Sequence, residues 1–137
     1  MAIINMQTMR YINLLDRVSR VKTMWCFFYN NTIIFVVPER LVHQAVGFNG
    51  KNVKAIQQML GKRIKVVQEM RGPMDARRFI QDIVDPLSFR SVEMAPTEVI
   101  LTAGGANKAA LIGRNKVRLA ELGSIVEDVF GKQLRIV

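Results

Sequence analysis

The chain has 137 residues, which suits one ordinary domain or two very small ones. Half of the residues are hydrophobic and 23% are charged, a composition that excludes a disordered chain. Lys and Arg number 20 against 11 Asp and Glu, and this formal net charge of +9 favours an anionic partner, nucleic acid before a membrane surface.

The chain begins with a predicted helix and a predicted hairpin. Apolar residues recur at helical spacing over residues 7–19. Two runs rich in aromatic and β-branched residues follow, at 21–29 and Thr32–Val37, and predict two strands. Asn30 and Asn31 stand between them and suit a tight primed turn, because Asn tolerates positive φ better than most residues.

Two helices and a strand are predicted next. Apolar spacing indicates helices over residues 39–46 and Lys51–Leu60, separated by a glycine-rich break at 47–50. Gly61 is placed to end the second helix, and residues 62–68 alternate as a strand does. The predicted order is therefore α-β-β-α-α-β.

The same order is predicted again in the second half of the chain. A break at Arg71, Gly72 and Pro73 precedes it. The elements are a helix over Ala76–Val84, strands over 89–94 and 98–103, helices over 107–112 and Val117–Phe130, and a strand over 132–137.

Residue numbering supports an internal repeat. Gly47 and Gly113 lie 66 positions apart, and the strands and helices around them align at the same offset. Past the last helix the offset becomes 70, which aligns Gly61 with Gly131. We therefore expect a duplicated unit and two α+β domains, residues 1–70 and 71–137, each with a three-stranded sheet packed by helices.

A Gly-x-x-Gly loop between two helices has a physical use. Glycines let the backbone turn sharply and let a phosphate approach without interference from a Cβ atom. The helix that follows presents free N–H groups and a partial positive charge to that phosphate. Residues 47–50 form such a sequence, and residues 113–116 stand at the repeated position.

These segments resemble a known family. The sequence AVGFNGKNV at 45–53 resembles the core of the KH RNA-binding motif, and ALIGRNK at 110–116 is similar to a second, degenerate copy. The element order corresponds to the type II form of that fold. A tandem KH pair in a short basic chain resembles the archaeal NusA family of transcription termination and antitermination factors.

The resemblance implies a function and a set of site residues. KH domains bind single-stranded RNA in a groove, where the GxxG loop contacts the backbone of about four nucleotides. A NusA-like role also implies RNA polymerase or the nascent transcription complex as a partner. The RNA-binding residues implied here are Gly47, Phe48, Asn49, Gly50, Lys51 and Lys54 in the first copy, and Gly113, Arg114, Asn115 and Lys116 in the second.

The two copies differ in charge and in the loop itself. Residues 1–70 hold 10 Lys and Arg against 3 Asp and Glu, whereas residues 71–137 hold 10 against 8. Lys116 replaces the second glycine, where a side chain hinders close approach to a backbone. We therefore expect the first loop to bind RNA more strongly, aided by a cluster of cations on and after its helix: Lys51, Lys54, Lys62, Arg63 and Lys65.

Alternatives remain at the level of residues and of function. Asn49 and Asn115 suit helix N-caps as well as ligands. The chain suits an RNA-processing or ribosomal-RNA-binding factor, or a protein adaptor that has lost RNA, as well as a transcription factor. Catalysis is not expected, because the sequence has no Ser/His/Asp set, Cys/His pair or P-loop. With one Cys and one His, neither a disulfide, a metal site nor a cofactor is expected.

Neither a membrane partner nor export is expected. Charged side chains interrupt the first 20 residues, so no signal-peptide core fits there. The longest apolar runs are far shorter than the roughly 20 residues that cross a bilayer. We expect a cytoplasmic protein.

Overall fold

A computed structural model describes residues 6–23 and 25–137. These residues divide into two compact units, residues 6–69 and 70–137. Within the described part of the chain there are six α-helices and six strands, and the strands form two three-stranded sheets. The fold is therefore mixed α+β, as the sequence predicts.

The first unit has the predicted order of elements. Its sheet has the strand order β1-β2-β3, in which β1 pairs antiparallel and β3 pairs parallel with the central strand β2. Its elements are α1 (Met6–Ser19), β1 (Trp25–Tyr29), β2 (Thr32–Val37), α2 (Val42–Val46), α3 (Lys51–Leu60) and β3 (Arg63–Gln68).

Local sequence explains the two sharpest reversals in this unit. Asn30 and Asn31 both have positive φ, 50° and 58°, between the paired residues Tyr29 and Thr32. This is the conformation that a two-residue primed turn requires, so the predicted turn is confirmed. Gly61 ends α3 in the left-handed conformation, also as predicted.

The core of the first unit lies between one face of its sheet and its helices. Alternate residues of β2 point into it, as the period of two in a strand requires. Leu15 of α1 and Ile56 of α3 meet them there and are fully buried. Half-buried side chains such as Phe28 and Cys26 pack around this cluster. The core thus fixes α3 on the sheet and, with it, the loop that precedes α3.

The second unit repeats this arrangement. Strand order and pairing direction are the same, with β5 central, β4 antiparallel and β6 parallel. Gly131 ends the long helix in the left-handed conformation, as Gly61 does in the first unit. Its elements are α4 (Ala76–Val84), β4 (Ser91–Met94), β5 (Glu98–Thr102), α5 (Gly105–Ile112), α6 (Val117–Phe130) and β6 (Gln133–Ile136).

Some predicted boundaries are wrong. Residues 21–23 of the strand expected over 21–29 are not part of β1, and Met24 lies outside the described residues. The Thr23 hydroxyl instead donates to the Val36 carbonyl and accepts from the Trp25 N–H. The Thr23 side chain therefore makes hydrogen bonds that backbone groups would make in a longer strand. The helix expected over 39–46 is a 3₁₀ turn, Glu39–Leu41, followed by α2.

In the second unit three strands are shorter than expected and one helix is longer. Strand β4 begins at Ser91, although the Arg90 N–H still donates to the Thr102 carbonyl at 2.7 Å. Helix α5 begins two residues before the predicted start, at Gly105, where low helix propensity concealed it. Strands β5 and β6 each end one residue earlier than expected, and β6 also begins one later.

Candidate nucleic-acid interface

Residues 47–50, called the first loop, connect α2 to α3 by a tight reversal. Gly47 ends α2 with φ 82° and ψ 165°. The Gly50 N–H donates to the Gly47 carbonyl at 3.0 Å and closes a single 3₁₀ turn. Asn49 and Gly50 both lie in the left-handed region, with φ 54° and 75°. Three of the four residues thus have positive φ. The path of this loop therefore depends on its hydrogen bond and on the freedom of glycine to adopt positive φ.

Residues 113–116, called the second loop, follow the same path. Gly113 has φ 76° and ψ 170°, and Asn115 has φ 55°. The Lys116 N–H donates to the Gly113 carbonyl at 3.2 Å, and Lys116 has φ 60°. Lys116 therefore adopts the left-handed conformation of Gly50, at a cost of about 1–2 kcal/mol for a residue with a Cβ atom. Replacement of the second glycine leaves the backbone conformation of the loop unchanged.

A side-chain hydrogen bond supports each loop. Asn52 Nδ2 donates to the Gln44 carbonyl at 2.9 Å. At the positions 66 further on, an Arg118 guanidinium nitrogen donates to the Ala110 carbonyl at 3.1 Å. Both bonds join the end of the helix before the loop to the start of the helix after it. We call Asn52 and Arg118 the bracing residues.

The bracing residues do not follow from any local pattern in the sequence. An Asn and an Arg share no motif, and each bond joins two different helices across a loop, so no single helical or strand period relates its partners. The available signal was the repeat itself, since residues 52 and 118 are both hydrogen-bond donors at the 66-residue offset.

The bracing residues also explain the first glycine of each loop. A Cβ atom on Gly47 would lie 2.8 Å from the backbone nitrogen of Asn52. On Gly113 it would lie 3.0 Å from Cγ of Arg118. A Cβ atom on Gly50, in contrast, would meet only the Lys54 side chain, at 3.8 Å. The chain's own packing thus requires the first glycine, whereas the second position has room for a side chain.

The two asparagines are not helix N-caps, and that hypothesis is wrong. Gly50 and Lys116 occupy the N-cap positions of α3 and α6. No side chain in the described part of the chain caps either helix start. Asn49 and Asn115 instead take left-handed backbone conformations, which Asn tolerates better than most residues. The N–H groups of Lys51 and Val117, the first residues of the two helices, donate to the carbonyls of Phe48 and Arg114. What both helix starts offer another partner is therefore the partial positive charge of the helix dipole.

The predicted cations of the first unit lie in separate parts of the structure and do not form a single cluster, and Lys65 is half-buried in β3. Lys51 and Lys54 are exposed in the first turn of α3, and Gln58 continues the same exposed face at helical spacing. Lys62 and Arg63 are exposed beyond the other end of this ten-residue helix, about 15 Å from the loop. The structure therefore places only Lys51 and Lys54 beside the first loop.

The second unit has no lysine at the corresponding positions of its helix α6. Val117, Ala120 and Ser124 are exposed at the positions of α6 that correspond to Lys51, Lys54 and Gln58. The side chain of Val117 is 54% exposed although it is apolar. The exposed cations at the second loop are within it, at Arg114 and Lys116, whereas the guanidinium of the half-buried Arg118 is engaged in bracing the loop.

Phe48 is the most unusual side chain at the first loop. It is 86% exposed and lies between Gly47 and Asn49, both of which have positive φ. Arg114, the corresponding residue of the second loop, is also exposed. The loop fold accepts either side chain, so neither is needed for packing.

The described residues offer little for other chemistry. Burial raises the pKa of the Cys26 thiol to about 12, so it does not form a thiolate at neutral pH. Within residues 6–23 and 25–137, no three His, Cys, Asp or Glu side chains group in a way that could hold a metal ion. None of the helices in these ranges combines the length and apolar character needed to cross a bilayer.

The chain is similar to known proteins both in sequence and in structure. The chain is 27% identical over 81 residues to the probable transcription termination protein NusA of Methanocaldococcus jannaschii. That match covers 59% of this chain and 43% of the relative, so the chain spans less than half of the relative's length. No protein-family model matches the chain.

The structural comparison concerns the fold alone. The crystal structure of APE1850 superimposes with a TM-score of 0.67 and covers 98% of this chain and 100% of its own. Sequence identity in that comparison is 23%. The match extends over both units.

Proposed function

We propose that this chain is a non-catalytic protein that binds single-stranded RNA through two type II KH domains, residues 1–70 and 71–137. Its role is that of a NusA-type transcription termination or antitermination factor. It works in the cytoplasm, in contact with the nascent transcript beside RNA polymerase, and needs no cofactor.

One observation carries the RNA-binding proposal: the chain builds the same glycine-based loop twice, with matching dihedral angles, between two helices. In both copies the loop precedes an uncapped helix start. A phosphate of a nucleic-acid backbone fits such a site, because the helix dipole places a partial positive charge there. KH loops use this arrangement to hold the RNA backbone.

The first loop is the stronger RNA site in this proposal. Gly47, Asn49 and Gly50 shape the loop, and Lys51 and Lys54 add positive charge at the helix start. The excess of cations in residues 1–70 supports this ranking. In the second loop Gly113 and Asn115 keep the same path, and Arg114 and Lys116 contribute charge directly.

The transcriptional part of the proposal rests on sequence similarity. The archaeal relative is named as a probable transcription termination protein, and its matched region covers 81 residues. Isolation of the tagged chain from cross-linked cells tests this part. We expect RNA polymerase subunits and nascent transcripts to copurify, and recovery of only ribosomal RNA would contradict it.

Salt dependence of RNA binding tests the central proposal. If three to five phosphates are neutralised, log Kd against log salt should change with a slope of about 2 to 3.5, because single strands give roughly 0.7 per phosphate. Fluorescence anisotropy with a labelled oligouridine measures it. Absence of binding at low salt, or affinity independent of salt, would contradict RNA binding through this surface.

A further inference from the structure

We propose that Phe48 stacks on a base of the bound RNA, and that the first loop thereby contacts a base as well as the phosphate backbone. This inference rests on the proposed RNA-binding function. It assigns to one side chain a role distinct from that of the glycines and lysines around it.

Phe48 is exposed in a position where packing does not require an aromatic ring. Its side chain is 86% exposed. The second loop holds Arg114 there with the same backbone path, so the fold does not need an aromatic ring. Because the fold does not require this ring for packing, its faces are available for a base to stack on.

Positive charge lies close to Phe48 along the chain. Lys51 and Lys54 are exposed immediately after the loop, at the start of α3. A phosphate held there places the adjoining nucleotides beside residue 48, which comes three positions before the first of these lysines. Cations together with an exposed aromatic ring are the combination that single-stranded nucleic-acid sites use, cations for the backbone and rings for the bases.

The two copies carry their cations in different places. Arg114 offers charge and a planar guanidinium, whereas Phe48 offers a ring without charge. The cations of the first loop lie on the following helix, so the residue at the tip of the loop can be uncharged. The second helix has Val117 and Ala120 at those positions, and its loop carries the cations itself.

The experiment compares two RNA probes with three variants of Phe48. The probes are a 12-residue oligoadenosine and a ribose-phosphate oligomer of the same length without bases. In full-length protein, F48A should weaken binding of oligoadenosine about tenfold, in line with the loss of one stacked base. It should leave binding of the oligomer without bases unchanged, and F48Y should restore the affinity for oligoadenosine.

F48L is the control for apolar contact without a ring. It should resemble F48A if stacking is the interaction. R114A in the second loop is the matched control for charge, and it should weaken both probes by a similar factor. Circular dichroism and thermal melting should show that all variants are folded, because residues 48 and 114 are exposed.

The outcomes separate this inference from the proposed function. If the wild-type protein binds neither probe at low salt, the RNA-binding proposal fails. If it binds oligoadenosine but F48A or F48L binds as tightly as wild type, stacking by Phe48 is wrong while RNA binding stands. Equal weakening of both probes by F48A would also overturn stacking, because a probe without bases offers nothing to stack on.

Discussion

The two glycines of the first loop have different physical tasks. Gly47 lies against the bracing residue Asn52 and has a backbone conformation that only glycine adopts readily. Gly50 has open space around it and a left-handed conformation that other residues adopt at moderate cost. Lys116 demonstrates the second case within the same chain. In this GxxG pattern, internal packing therefore requires the first glycine, whereas the second glycine leaves open space that a ligand can approach.

Alanine variants of these glycines should separate the two tasks. We expect G47A to lower the free energy of unfolding by about 3 kcal/mol or more, since a strained conformation and a steric clash add together. G50A should lower it by about 1 kcal/mol, because only the left-handed conformation is unfavourable. Urea unfolding of the full-length chain measures both. Equal losses would contradict the assignment of the first glycine to packing.

Secondary-structure elements were predictable where the local pattern determines them. The hairpin turn at Asn30 and Asn31 and the helix ends at Gly61 and Gly131 depend on the conformations that these residues allow, so sequence sufficed. The start of β1 was not predictable, because it depends on the hydroxyl of Thr23 reaching the Val36 carbonyl across the hairpin.

The same distinction applies to the candidate site. Both loops could be located from the glycine spacing and the repeat. Their bracing hydrogen bonds, and the left-handed conformation of Lys116, depend on how two helices meet in space. Periodicity along the chain carries no information on such contacts.

An ion-pair network at the start of α4 predicts a pH dependence. Hydrogen bonds from the Arg78 side chain, and one from the Arg71 backbone N–H, lower the pKa of Asp75 from 3.8 to about 2. The folded state therefore binds the proton less tightly than the unfolded chain does. The stabilisation from Asp75 is present above about pH 4 and is lost as pH falls through about 2.

Thermal melting of D75N checks this dependence. We expect the variant to melt below wild type at pH 6, and the difference in Tm to shrink steadily between pH 4 and pH 2. Removal of the partner provides the control: in an R78M background, D75N should have a much smaller effect at pH 6. A constant difference in Tm from pH 6 to pH 2 would show that Asp75 does not act through its charge.

Across the whole chain, the duplication preserves the backbone and redistributes the charge. The two units share element order, strand pairing and loop conformation. Yet the excess of cations over anions is 7 in residues 1–70 and 2 in residues 71–137. The exposed face of α3 is also more positively charged than that of α6, because the two lysines of α3 correspond to a valine and an alanine of α6. Charge and not backbone conformation therefore sets the difference that we propose in RNA affinity.

An exchange of these exposed residues tests that conclusion. In K51V/K54A the first unit receives the residues of the second, and in V117K/A120K the second receives those of the first. All four positions are exposed, so we expect both variants to fold. At roughly 0.7 per phosphate, K51V/K54A should lower the salt slope of oligouridine binding by about 1.4 and weaken binding at low salt. V117K/A120K should raise the slope and strengthen binding, because the second loop already has the required backbone conformation.

K108A/K132A removes the same charge elsewhere in the second unit, and it should change the slope much less. If that control lowers the slope as far as K51V/K54A does, net charge and not the position of the lysines governs binding.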